Sequence, residues 1–135
     1  SAPHEFEQRA AVRSSWLRLI AGRDDVRHHF IVGNRINQNM FAPELESQLH
    51  DEQQQFGDLA RIDAEEGYKE LTAKVLKYMQ WLDAQRLAFD FLLKTDSDSF
   101  VAADKLLRAL ADKPRARLYW GRMHMNPVRF CSFAS

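Results

Sequence analysis

Short apolar runs alternate along this chain with segments of helical period, and that alternation restricts the fold more than any other feature. An apolar run of a few residues bounded by turn residues reads as a buried strand, whereas apolar residues three or four apart read as one face of a helix. Phe6, Ala10, Trp16, Leu17 and Ile20 recur at roughly helical spacing with Arg9, Arg13 and Arg18 interleaved, which predicts a helix from Glu5 to Ile20. Arg27 to Val32, closed by Gly33, predicts a strand, and a loop carrying Asn34, Asn37 and Asn39 follows. Pro43 suits the first turn of a second helix, which runs through Leu45 and Leu49 to about Gln55 before Gly57 breaks it.

Leu59 to Ile62 predicts a short strand. Asp63 and Glu66 have the form of a capping box, and beyond them Tyr68, Leu71, Val75, Met79 and Leu82 fall three or four apart, predicting a long helix to about Gln85. Phe89 to Leu93 predicts a buried strand, Ala102 to Ala111 a helix, and Leu118 to Gly121 a last strand. Strands alternating with helices predict an α/β domain with a largely parallel sheet and flanking helices. No composition shift divides residues 1–135 into separate domains.

Composition narrows the partners. The chain has 19 Lys and Arg against 19 Asp and Glu, so no broad field draws nucleic acid or an anionic membrane. No apolar run approaches the ~20 residues needed to cross a bilayer. The single cysteine, Cys131, cannot form an internal disulfide. The start lacks both methionine and the order of a signal peptide, so further residues are expected upstream.

The residues best suited to chemistry are Asp96 and Asp98, which follow the apolar run Phe89 to Leu93. In a parallel sheet, ligands bind beyond the carboxyl ends of the strands, where this pair is predicted to sit. Two carboxylates on a turn can face one hard cation such as magnesium, manganese or calcium. An Asp-x-Asp pair in a solvated surface turn is the plain alternative, and the predicted strand before it, Lys94 two residues ahead and the apolar Phe100-Val101 after it weigh against it. Arg9 and Arg13 share one helical face and could grip a phosphate, although a solvated helix face has the same spacing. Lys74 offers a further phosphate contact or simply a surface cation. His28 and His29 are adjacent on a predicted strand, point to opposite faces and make a poor joint metal site. Tyr119 and Trp120 could line a sugar or base pocket, with core packing the commoner use. Glycine-rich phosphate loops, the Gly-x-Ser-x-Gly elbow and paired-cysteine zinc spacings are missing from the sequence.

Taken in order, five segments resemble the inverting β-1,3-glycosyltransferases of glycosyltransferase family 31. Arg9 to Trp16 resembles the family's arginine-rich helix, Phe30 to Gly33 its second strand, and Glu52 to Leu59 the next block. Tyr68-Lys69-Glu70-Leu71-Thr72-Ala73-Lys74 resembles its Tyr-x-Asn-Leu-Thr-x-Lys segment, and Phe91 to Val101 its Lys-x-Asp-Asp-Asp-x-Phe metal block. Leu71 to Leu76, Trp81 to Asp83 and Arg117 to Gly121 are most similar to the subfamily that adds the second galactose of the proteoglycan linker.

The resemblance implies a GT-A-type, Rossmann-like nucleotide-sugar fold and UDP-galactose as donor. It also implies manganese as cofactor, with magnesium possible, a glycan or glycoprotein acceptor, and a type II membrane parent in the Golgi lumen. It assigns Asp96 and Asp98 to the metal, and Arg9, Arg13, Asp58, Lys74 and Asp96 to the donor side. Ser97 replaces the family's middle aspartate, and Glu70 stands at its asparagine. The match ends after Pro127-Val128-Arg129, so the acceptor-binding half and its catalytic base are expected outside this chain, as is an opening strand before Ser1-Ala2-Pro3. Two other readings compete. One is a non-catalytic nucleotide- or partner-binding module; the other is a metal-dependent phosphatase with Asp96 as nucleophile, which Lys94, Thr95 and the other four segments disfavour.

Overall fold

The computed structural model describes residues 1–36 and 38–121. Asn37, Cys131 and the segment Pro127-Val128-Arg129 lie outside the described residues. The elements are α1 (Phe6–Ser14), β1 (Phe30–Val32), β2 (Arg35–Ile36), β3 (Asn39–Met40), α2 (Pro43–Phe56), β4 (Leu59–Arg61), α3 (Leu71–Ala84) and α4 (Ala103–Leu110). After α1 the chain tightens into a single 3-10 turn, Leu17–Ile20, so the predicted first helix ends earlier than its apolar spacing implies.

The architecture is α/β around a small parallel pair. β1 and β4 run side by side with Phe30 opposite Leu59, Ile31 opposite Ala60 and Val32 opposite Arg61. Side chains alternate across a strand, so this register sends Phe30, Val32 and Leu59 to one face and Ile31 and Ala60 to the other. The first face packs on Val12, Trp16, Leu17, Ile20, Leu49 and Ala103 from α1, the 3-10 turn, α2 and α4. The second packs on Ile62, Ala64, Tyr78 and Leu82, the last two from α3. Burial on both faces explains why β1 and β4 are apolar throughout apart from Arg61. β2 and β3 form a separate two-residue antiparallel ladder within the predicted asparagine loop.

α2 starts and stops on local signals. Pro43 occupies its first turn with Glu44 and Glu46, where carboxylates suit the positive end of the helix dipole. Gly57 closes it in the left-handed conformation at φ 68°, its N–H bonded to the Gln53 carbonyl at 2.8 Å.

Three expectations are corrected. The long helix begins at Leu71, not at Asp63, because Asp63 pairs with Arg35 while Glu66 turns back to the Gly33 N–H and Lys74. Its inward face is also displaced by about one residue. Lys74, Tyr78 and Leu82 are buried, whereas Leu71 and Met79 are exposed and Tyr68 precedes the helix. Phe89 to Leu93 forms no strand, and Leu92 and Leu93 are 44% and 52% exposed. A strand needs a neighbour for every second backbone group, and no described strand lies alongside this run. Leu118 to Gly121 is likewise irregular, with Tyr119 and Trp120 exposed, so neither ring lines a pocket among the described residues. α4 forms as expected, held to the first core by Ala103.

Candidate functional site

Lys74 and Glu66 meet the Ser1 to Glu5 segment beside the carboxyl end of β1, whereas Arg13, His28 and Asp58 meet at the opposite, amino end of β1 and β4. Lys74, buried on α3, donates from Nζ to the Ser1 carbonyl at 3.0 Å and to both Glu66 oxygens at 2.7 and 2.9 Å. Glu66 in turn accepts the N–H of Gly33, the residue that follows β1. Glycine is required there, since a Cβ would lie 2.5 Å from the Ala64 carbonyl oxygen.

Arg9 holds the same segment from the α1 side. It is fully buried, and its guanidinium donates to Glu52 from Nε and Nη2, to Ser1 Oγ and the Ala2 carbonyl from Nη1, and to the Pro3 carbonyl from Nη2. All five guanidinium N–H groups thus have protein acceptors, which leaves none for a phosphate. Arg13, one turn on, donates to Glu52 at 2.7 Å and grips Asp58 bidentately at 2.8 and 2.7 Å. His28 Nε2 lies 3.1 Å from the same aspartate. Burial would raise the Asp58 carboxyl, but hydrogen bonds from Arg13 and His28 outweigh it and hold the group well below the usual carboxylate range. Glu52 is depressed in the same way, burial being outweighed by Arg9 and Arg13. Arg13 also stacks over Phe30 and Phe56, with centroid distances of 4.9 and 4.0 Å. Arg9, Arg13 and Asp58 are therefore internal framework in this arrangement, and the reading of an open phosphate grip on α1 is corrected accordingly.

Asp96 and Asp98 are exposed on a turn closed by the Ser99 N–H and the Asp96 carbonyl at 3.1 Å. They follow an irregular run instead of the buried strand expected. Lys94 Nζ sits 2.7 Å from Asp96 Oδ1, and that hydrogen bond lowers the Asp96 carboxyl. Between the two aspartates, Ser97 turns inward and donates from Oγ to Glu5 Oε2 at 3.4 Å. The acidic turn is thereby joined to the Ser1 to Glu5 segment that Arg9 and Lys74 hold.

Two exposed carboxylates are the right donor type for a hard divalent cation, and the turn leaves both accessible. No cluster of three or more His, Cys, Asp or Glu side chains that could hold a metal occurs among the described residues, so further positions would fall to water or a ligand. His28 and His29 diverge as expected: His29 Nδ1 meets Tyr78 Oη at 3.1 Å on the second core, and burial lowers its pKa. A cleft of about 360 Å³ lies between the end of α3 and Phe89 to Leu92, lined by Met79, Leu82, Asp83, Arg86 and Leu87.

Sequence reasoning read Glu66 as a helix cap and Glu52 as the start of a matched segment, and gave neither these two nor Glu5 the organising role they have here. Glu52 could have been found, because it falls three residues after Leu49 on the apolar stripe of α2. Glu5 and Glu66 carry no such local signal.

The described residues thus form a small parallel α/β core with flanking helices. The galactosyltransferase family profile matches residues 7–130, and this chain belongs to that family. It is 43% identical over 127 residues to mouse β-1,3-galactosyltransferase 6, covering 90% of this chain and 38% of that protein. It is 29% identical over 134 residues to β-1,3-galactosyltransferase 5 of Pan paniscus, covering 96% and 42%. A third relative, UDP-GalNAc:β-1,3-N-acetylgalactosaminyltransferase 2 of Xenopus laevis, is 32% identical over 95 residues, covering 68% and 19%. The chain thus spans less than half the length of these curated relatives. No solved structure matches it. No helix among the described residues is long and apolar enough to cross a membrane.

Proposed function

We propose that this chain is the donor- and metal-binding part of a GT-A-type hexosyltransferase that moves galactose from UDP-galactose to a sugar hydroxyl in β-1,3 linkage, with inversion. The observation that carries the reading is the acidic turn, docked through Ser97 on the segment that Arg9 and Lys74 hold at the carboxyl end of β1. The likeness to the mouse β-1,3-galactosyltransferase favours galactose as the sugar transferred, and the acetylgalactosaminyl relative marks the competing donor. A linker-type glycan or glycoprotein acceptor and a Golgi-lumenal, type II parent belong to the same reading.

In this reading Asp96 and Asp98 hold the cation, manganese or magnesium, and no residue of the chain is assigned as catalytic base. A cation bound there supplies Lewis-acid stabilisation for the negative charge on a departing nucleoside diphosphate. Lys94 offsets the charge of Asp96 in the free protein, and a cation held by Asp96 would free its ammonium to offset phosphate charge instead. Arg9 and Lys74 act from behind, fixing the Ser1 to Glu5 segment, and Arg13 with Asp58 braces α1 against the amino end of β4. The pairing of Lys94 with Asp96 and the lack of a third ligand residue among those described also support a second reading, a nucleotide- or partner-binding module without catalysis.

Titration of the chain with UDP and UDP-galactose, with and without manganese, tests the proposal against the Asp96→Ala, Asp98→Ala double variant. Metal-dependent binding that the double variant abolishes is expected. Equal binding by the two proteins, or none by a folded chain, refutes the donor site.

A further inference from the structure

The hydroxyl between the two aspartates has a partner far away in sequence. We propose that Glu5 is a positioning residue for the cation site, acting through Ser97 to fix the turn that presents Asp96 and Asp98. This rests on the donor-site reading above.

Three observations combine. Ser97 is half-buried while its neighbours Asp96 and Asp98 are exposed, so the turn faces inward at its middle residue and outward at the carboxylates. Ser97 Oγ donates to Glu5 Oε2 at 3.4 Å across 92 positions of sequence, a long-range tie between the acidic turn and the rest of the fold. The acceptor is itself held, since Glu5 Oε2 also takes the Ala2 N–H at 2.7 Å and Ser1 Oγ at 3.1 Å. Ser1 Oγ is in turn fixed by Arg9 Nη1 at 3.1 Å. A hydrogen-bonded route therefore runs from the Arg9–Glu52 pair through Ser1 and Glu5 to Ser97.

The chemistry of the pair is complementary in one sense only. A hydroxyl donates to a carboxylate, whereas an aspartate at position 97 would set two like charges against each other. The serine at the middle position thus goes with Glu5 as a matched pair. Two ligands on a turn bind a cation more tightly when the turn is already in place, because less ordering remains to be done on binding.

Manganese titration followed by the electron paramagnetic resonance of free manganese, on the whole chain with UDP present, reads this directly. Ser97→Ala and Glu5→Ala should each weaken manganese binding about threefold to tenfold, and the double variant should be no weaker than the weaker single, because both remove one contact. Glu5→Gln keeps an acceptor oxygen and should retain most of the affinity, and Ser97→Asp should weaken binding unless combined with Glu5→Gln. Thermal midpoints separate loss of fold from loss of positioning, and Ser97→Ala, on an exposed turn, keeps the test open if Glu5→Ala unfolds α1. Unchanged affinity in Ser97→Ala, additive losses in the double variant, or tighter binding by Ser97→Asp would each overturn the proposal. If the original chain shows no binding that the Asp96, Asp98 double variant abolishes, the donor-site reading itself falls, and this inference with it.

Discussion

Arg13 grips Asp58 through two parallel hydrogen bonds, Nε to Oδ2 at 2.8 Å and Nη2 to Oδ1 at 2.7 Å, and so fastens α1 to the residue that enters β4. Removing one partner of a shielded ion pair strands the other charge, which costs more than the pair contributes when whole. Asp58→Ala should lower the unfolding free energy by about 3 kcal/mol, read from urea denaturation. A loss below about 1 kcal/mol would place this pair with ordinary surface salt bridges.

Acid should release the same network. Glu52 and Asp58 both titrate below their unfolded values, near about 4, so the unfolded chain binds protons first as the pH drops. The stability they contribute is complete above that unfolded value and is lost as the pH falls through the depressed folded ones. Unfolding free energies measured from about pH 6 to about pH 2 should fall steeply below about pH 4, and less steeply in Asp58→Asn.

Gly33→Ala should be costly although it adds one methyl group. Its Cβ would meet the Ala64 carbonyl oxygen at 2.5 Å and Glu66 Oε1 at 3.0 Å, and a backbone carbonyl cannot swing aside as a side chain can. A loss of about 2 kcal/mol is expected, with a matching drop in thermal midpoint. No change in midpoint would contradict the close approach of β1 to the segment after β4.

Leu49 and Leu93 make a paired test of the core. Leu49 is 0% exposed on α2, and Leu49→Ala should cost about 3 kcal/mol for lost burial and the cavity left behind. Leu93 is 52% exposed, so Leu93→Ala should change stability by less than about 0.5 kcal/mol. Similar losses at the two positions would mean that Phe89 to Leu93 is packed after all.

The difference between those two leucines also shows which parts of the fold were legible in the sequence. α2 was readable because its signals are local: Pro43 at one end, Gly57 at the other, Leu49 between. β1 and β4 were readable because both bury apolar residues on both faces, and α4 formed within a residue of its predicted bounds. Phe89 to Leu93 was misread because a strand is a relation between segments, and its apolar pattern cannot announce whether a neighbour is present. α3 was turned because Lys74, polar by type, is drawn inward by Glu66, eight residues away.

The candidate site divides the same way. Asp96 and Asp98 were legible as a pair, but the partners of Arg9 and Arg13 lie 43 and 45 positions away, and spacing within α1 could not distinguish a phosphate grip from an internal clasp. Glu52 sat among polar neighbours on α2, and only its place on the Leu49 stripe hinted at burial.

The solvent-facing run from Phe89 to Leu93 has a practical consequence at the bench. An exposed apolar segment with no strand partner among the described residues can be templated by another like it, so these residues are the ones through which concentrated solutions would begin to clump. Colloidal behaviour is then set by a feature that fold stability hardly senses. A charge placed at Leu92 or Leu93 would improve solubility while leaving the midpoint of unfolding almost where it was.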